Sequence, residues 1–197
     1  MSTAHSWPSD HLFALSAKQA RRAFAIAVAV TAGGCTSIEP RPTALPFANR
    51  VDISARLVTA GQPSRAQLQQ LSDAGFQAVV HIASASLHDG VHDEAIIVGA
   101  QAVRYVRILV DPDALTNANV RELSAALAQF QSQKVLVHCE RNVLASTFVF
   151  LYRVLDLREP AGQAIADVEK AWAMRGGVRD FVKSQLHAQS IDLDLSE

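Results

Sequence analysis

Short apolar runs, each followed by a segment of helical period, constrain what this chain can fold into. Ala78-Val79-Val80-His81-Ile82 and Lys134-Val135-Leu136-Val137-His138 are too short for helices and too continuously apolar for half-exposed strands. Runs of that kind read as strands covered on both faces, the condition of a parallel sheet. Val103-Arg104-Tyr105-Val106-Arg107-Ile108-Leu109 alternates like another strand, and the alternation that begins at Val51-Asp52-Ile53 predicts one more, running to about Val58. Helical segments lie between them. Ser64 and Gln67 have capping-box spacing ahead of Leu68 and Leu71, and Gly75 closes that segment. A short helix is expected around residues 94–100, after a polar loop from 84 to 93. Val120, Leu123, Leu127 and Phe130 form one stripe over 119–131. An apolar helix follows over 146–157, and two more after Glu159-Pro160-Ala161-Gly162, over 163–174 and 178–189. The expected fold is α/β, with a central, mostly parallel sheet of about four to five strands flanked by helices.

Composition narrows the function classes. The 197 residues suffice for one such domain with a sizeable core. A chain that is 49% hydrophobic and 19% charged is not a disordered one. A net charge of −1 gives no broad basic surface, so no nucleic-acid partner is expected. Two cysteines cannot build a disulfide scaffold or a four-thiolate zinc site. His88 and His92 flank Gly90 without a further partner, so neither a metal nor another cofactor is expected.

The first residues read as an address. Lys18, Arg21 and Arg22 precede the apolar run Ala23 to Val30, and small residues lead into Cys35. That run is shorter than the roughly 20 residues of a membrane-spanning helix. Residues 1–35 are therefore expected to be an export signal, with Ala32-Gly33-Gly34-Cys35 similar to a bacterial lipobox and Cys35 as the lipidated residue. Arg21-Arg22-Ala23-Phe24 also resembles the core of a twin-arginine signal. The expected location is the periplasmic side of a bacterial membrane, held by the lipid. Pro40, Pro42 and Pro46 mark residues 36–49 as a linker, residues 50–190 as the domain and 191–197 as a tail.

Lipidation of Cys35 leaves Cys139 as the one free thiol, between a buried strand and a helix. In open α/β sheets ligands bind at such strand ends. A helix N-terminus favours a thiolate, and successive loop amides form an anion nest. Cys139 is thus the candidate nucleophile, with Glu140, Arg141, Asn142, Val143, Leu144 and Ala145 as the phosphate-binding loop. Ser146 is a candidate helper, donating to the thiolate or assisting product release. His138, directly after a buried strand, is expected to support the loop by hydrogen bonding rather than to shuttle protons.

His138-Cys139, the loop and Ser146 resemble the signature of cysteine-dependent tyrosine and dual-specificity phosphatases. More closely, the chain resembles the bacterial dual-specificity-phosphatase-like family, a domain also found with β-lactamase-like hydrolases. The likeness rests on Thr59-Ala60-Gly61-Gln62-Pro63, the strand before Ile82, Asp93-Glu94, Val137-His138-Cys139 with Asn142, Phe148 to Val154, and Trp172, across about residues 50–182. It implies hydrolysis of phosphate monoesters through a phosphocysteine, with an acid from the loop after the preceding strand. Asp111 and Asp113, around Pro112, are the candidates, with Asp111 preferred. The family's arginine is absent: Leu144 and Ala145 stand at its two usual positions, and Arg141 is the one cation in the loop. That arginine grips phosphate bidentately, and losing such a group costs roughly 10³–10⁵ in rate. Three readings follow: a weak phosphatase, a catalytically dead module that binds an anion or a partner, and a sulfur-transfer domain carrying a persulfide on Cys139.

Overall fold

The computed structural model describes residues 44–84 and 90–195. The expected export signal, Cys35, most of the expected linker, His88 and the last two residues lie outside them. β1 (Val51–Asp52), β2 (Leu57–Ala60), β3 (Ala78–Ser84), β4 (Arg104–Val110) and β5 (Val135–His138) form one sheet in the order β1-β2-β5-β3-β4. β2, β5, β3 and β4 are parallel; β1 is antiparallel to β2. The mostly parallel α/β sheet flanked by helices is therefore as expected.

The single strand expected from Val51 to Val58 is instead a hairpin. Ser54 Oγ accepts from the amides of Arg56 and Leu57, and the Ile53 and Ser54 amides both reach Leu57 O, which turns the chain. A serine that satisfies backbone donors locally competes with strand continuation.

Among the described residues six helices cover the sheet: α1 (Arg65–Leu68), α2 (Glu94–Gly99), α3 (Asn117–Gln129), α4 (Val143–Leu155), α5 (Ala161–Ala171) and α6 (Gly176–His187). Both reciprocal bonds of the Ser64/Gln67 capping box are present, and a second box, Thr116 with Asn119, starts α3 two residues before the expected position. α4 also begins early, at Val143 rather than Ser146, because Asn142 turns the chain directly into it.

Strand alternation sorts the core into two layers. Val80, Ile82, Val137 and Cys139 face α3 to α6, with Leu123, Phe148, Leu151, Val168 and Val182. Val79 and Leu136 face α1 and α2, with Leu68, Leu71, Phe76 and Val98. Leu45 and Phe47 are buried in that second layer, so the end of the proline-rich segment packs against the domain. Ile191, Leu193 and Leu195 pack on the first layer.

One ion-pair network ties α4 to α5. Buried Arg153 donates to Glu159 at 2.8 Å and to Asp167 at 2.7 Å, and Lys170 donates to Asp167 at 2.7 Å. Burial works against the ionised Asp167, but hydrogen bonds from Lys170 and Arg153 outweigh it and hold the carboxyl below its usual range. Its contribution is therefore complete above the ordinary carboxylate pKa of about 4 and is lost as pH falls through the lower folded value. Asp167→Asn is expected to cost about 1–3 kcal/mol at neutral pH. It should also flatten the acid limb of stability, measured as urea midpoints from pH 6 down to 3.

Candidate active site

The site lies where β5 ends. β5 is flanked by β2 and β3, all four of its residues are buried, and the Cys139 amide donates to Ala60 O at 3.3 Å. The chain then rises into residues 140 and 141, which are exposed, and drops back at buried Asn142.

Asn142 has φ 66°, the left-handed region. Asparagine adopts it more readily than most residues, at a cost of about 1–2 kcal/mol for side chains in general. Side-chain bonds offset that cost here: Asn142 Nδ2 donates to Asn49 O at 2.6 Å and to Thr59 Oγ1 at 3.1 Å. Asn49 Nδ2 in turn donates to Arg141 O at 3.0 Å, and the Gln62 amide donates to Glu140 O at 3.0 Å. Gly61 makes this closure possible, since a Cβ there would meet Glu140 O at 3.1 Å and Ala48 O at 3.2 Å. The loop is thus tied to β2 and to residues 48 and 49 before it.

The outcome is a cradle around Cys139. The backbone amides of Ala145, Arg141, Leu144 and Asn142 are directed to its thiol and favour the thiolate; burial opposes them, is the larger influence, and pushes the thiol up. A cavity of about 210 Å³ opens above it, lined by Ile82, Pro112, Cys139, Arg141, Leu144 and Val178 among others. Most of these side chains are apolar. Arg141 is exposed at the rim, and Leu144 lies inside where the resemblance calls for arginine.

The remaining expected residues are placed differently. Ser146 is buried, but its hydroxyl donates to Asn142 O at 2.5 Å and approaches Val143 O at 3.2 Å, so it braces the first turn of α4. Val143, Leu144 and Ala145 belong to that turn rather than to a loop. Asp111 is exposed and its Oδ1 accepts from the Asp113 amide at 3.0 Å, closing a turn around Pro112. Asp113 lines a neighbouring cleft with Arg175, Asp180 and Phe181. Pro112 reaches the Cys139 cavity, and neither aspartate is among its lining residues.

His138 projects to the opposite face of the sheet from Cys139. Its Nε2 lies 2.7 Å from Glu94 Oε1, and its ring stacks on that of His81 with centroids 4.3 Å apart. Since a carboxylate only accepts, Nε2 carries the hydrogen. His138 therefore hydrogen-bonds to Glu94 of α2 rather than to the loop that follows Cys139. His81 and Glu94 were not singled out as site residues; the available signal was that His81 and His138 interrupt two buried apolar runs. Burial, and then the neighbouring His138, lower the His81 pKa to about 4, partly offset by Glu94. Burial disfavours the ionised Glu94, but the His138 hydrogen bond and the two imidazoles draw its pKa below the usual range.

Solved structures share this architecture. A protein designated a DUF442 phosphatase, from Shewanella putrefaciens CN-32, is 26% identical with a TM-score of 0.63, the match covering 73% of this chain and 90% of that one. TpbA of P. aeruginosa is 19% identical with a TM-score of 0.54, over 80% of this chain and 93% of its own. The catalytic domain of the S. cerevisiae PP-IP phosphatase SIW14, solved with citrate, is 9% identical with a TM-score of 0.59, over 75% and 96%. No protein-family model matches the chain, and no curated protein does. The fold is that of the cysteine phosphatases, as the resemblance implied.

The Asn142 arrangement predicts an order among variants. Asn142→Gly keeps the backbone conformation and loses only the side-chain bonds, whereas Asn142→Ala loses both. Chemical denaturation should find Asn142→Ala less stable than Asn142→Gly by about 1 kcal/mol or more.

Proposed function

We propose that this chain is a phosphatase-fold protein that takes phosphate monoesters at Cys139 and hydrolyses them slowly through a phosphocysteine. The observation that carries the reading is the placement of Cys139 on the wall of a cavity, between the end of β5 and the first turn of α4, whose backbone amides favour a thiolate there. An amide nest at a helix N-terminus suits the equatorial oxygens of a transferring phosphoryl group. In the proposed reaction the Cys139 thiolate attacks phosphorus, the ester P–O bond breaks, and the departing oxygen takes a proton. Water then attacks the phosphocysteine, releasing inorganic phosphate and restoring the thiol.

Two features set the rate and the substrate. Leu144 places apolar surface where a guanidinium fork would hold the transition state, so turnover is slow. With Asp111 committed to its turn, acid assistance to the leaving group is weak. Aryl phosphates, whose leaving oxygens need little protonation, are therefore the preferred class, and the apolar lining suits an aryl group. Export and anchoring through a lipid on Cys35 complete the proposal, supported by Lys18, Arg21, Arg22 and the small residues before Cys35.

The raised thiol favours a second reading, a module that holds a phosphate-bearing ligand without turnover. One assay separates the two. The full chain is incubated with a fluorogenic aryl phosphate beside Cys139→Ser and Leu144→Arg, with folding checked by circular dichroism. The proposed enzyme gives slow hydrolysis that disappears in Cys139→Ser and rises about tenfold or more in Leu144→Arg. Hydrolysis absent from both the wild type and a folded Leu144→Arg chain, with phosphate still bound, establishes the binding module. If hydrolysis persists in Cys139→Ser, the cysteine mechanism is overturned.

A further inference from the structure

On the other side of the sheet from Cys139, three buried side chains from three elements meet, and the proposed reaction uses none of them. His81 comes from β3, His138 from β5 and Glu94 from the first turn of α2. His138 Nε2 lies 2.7 Å from Glu94 Oε1, and His81 Nδ1 lies 3.7 Å from Glu94 Oε2. One donor atom from each residue falls within 4.8 Å of the other two. We propose that His81, Glu94 and His138 form a binding site for one divalent transition-metal ion of the zinc type.

The spacing fits such an ion. Bonds of about 2.0–2.1 Å to nitrogen and oxygen in a tetrahedron place the donors roughly 3.3 Å apart. The 2.7 and 3.7 Å separations, to the two different oxygens of Glu94, lie on either side of that edge, and with all donors within 4.8 Å of one another an ion would draw the widest pair together by about an ångström. Two imidazoles and a carboxylate are a familiar zinc donor set with a fourth position left open. The Tyr105 hydroxyl lies 2.9 Å from His81 Nδ1, a hydrogen bond that Nδ1 would exchange for the metal. Nitrogen donors select zinc-like ions over magnesium or calcium, which require oxygen.

The surroundings hold the donors in place. Gln62 Nε2 donates to Glu94 Oε2 at 2.9 Å, the kind of outer contact that orients a ligating carboxylate. Among the described residues His138 Nδ1 is buried without a hydrogen-bond partner, and the ring's polar contact is the one from Nε2 to Glu94. For Nε2 to ligate, its hydrogen must leave and a neutral ring must take one up on Nδ1, a change of tautomer. Register brings the imidazoles together, since His81 pairs with His138 across β3 and β5. A bound dication would join both strands to α2 one residue from Cys139. This inference does not depend on phosphate hydrolysis.

Cobalt and zinc provide the test. The full chain is stripped with a chelator, titrated with Co²⁺ under a visible-absorption readout, and then displaced with Zn²⁺. The expected result is one ion per chain, with the d–d bands of a four-coordinate nitrogen and oxygen site. Glu94→Gln and His81→Gln should each weaken binding by about tenfold or more, while Cys139→Ser leaves it intact. Should either substitution prevent folding, ¹⁵N spectra of the wild-type histidine rings decide, because Zn²⁺ should move the His81 and His138 side-chain resonances. Failure of the folded wild type to take up an ion overturns the proposal. So does uptake that survives both substitutions, uptake abolished in Cys139→Ser, or ¹⁵N shifts confined to other histidines.

Discussion

Alternation along β5 decides where everything else goes. In a strand, neighbouring side chains leave on opposite faces, so the step from His138 to Cys139 is a step through the sheet. Cys139 enters the layer beneath α3 to α6, while His138 enters the layer beneath α1 and α2. Central placement between β2 and β3 fixes that step, because a register slip of one residue would exchange the two faces and put His138 in the apolar layer that Cys139 occupies. The cradle above and the imidazole–carboxylate cluster below are thus two readings of one strand end.

At the cysteine, two opposing influences decide the chemistry. Directed amides favour the thiolate, and removal from water favours the thiol; removal from water is the stronger of the two. A guanidinium inside the cavity would normally tilt that balance, and Leu144 supplies none. Arg141, exposed at the rim, acts through water and contributes far less. On the proposed function, the same deficit of charge inside the cavity is what would make turnover slow and favour esters that leave unaided.

Local features were legible in the sequence, and distributed ones were not. The Ser64/Gln67 box, the buried runs of β3 and β5, and the strand–cysteine–helix junction each reside within about ten residues, so pattern alone exposes them. The break between β1 and β2 was hidden because Ser54 acts through backbone contacts that hydrophobic alternation does not report. The position of Asp111 suits an acid, and spacing does not report that its Oδ1 accepts from the Asp113 amide and closes the turn around Pro112. Glu94 stands in the resemblance, but its meeting with two histidines is not legible in the sequence. Its partners His81 and His138 lie on separate strands, and only parallel pairing in register brings them to one carboxylate.

The segment from Glu140 through the first turn of α4 contains no glycine, and left-handed Asn142 is pinned by Asn49 and Thr59. Such a segment behaves as a preformed mould rather than a closing hand. For the anion of the proposed function, little ordering entropy would remain to be lost on entry, so occupancy would depend on how well the guest replaces its own water shell. A large, weakly hydrated oxyanion would then be favoured over a small, strongly hydrated one of equal charge.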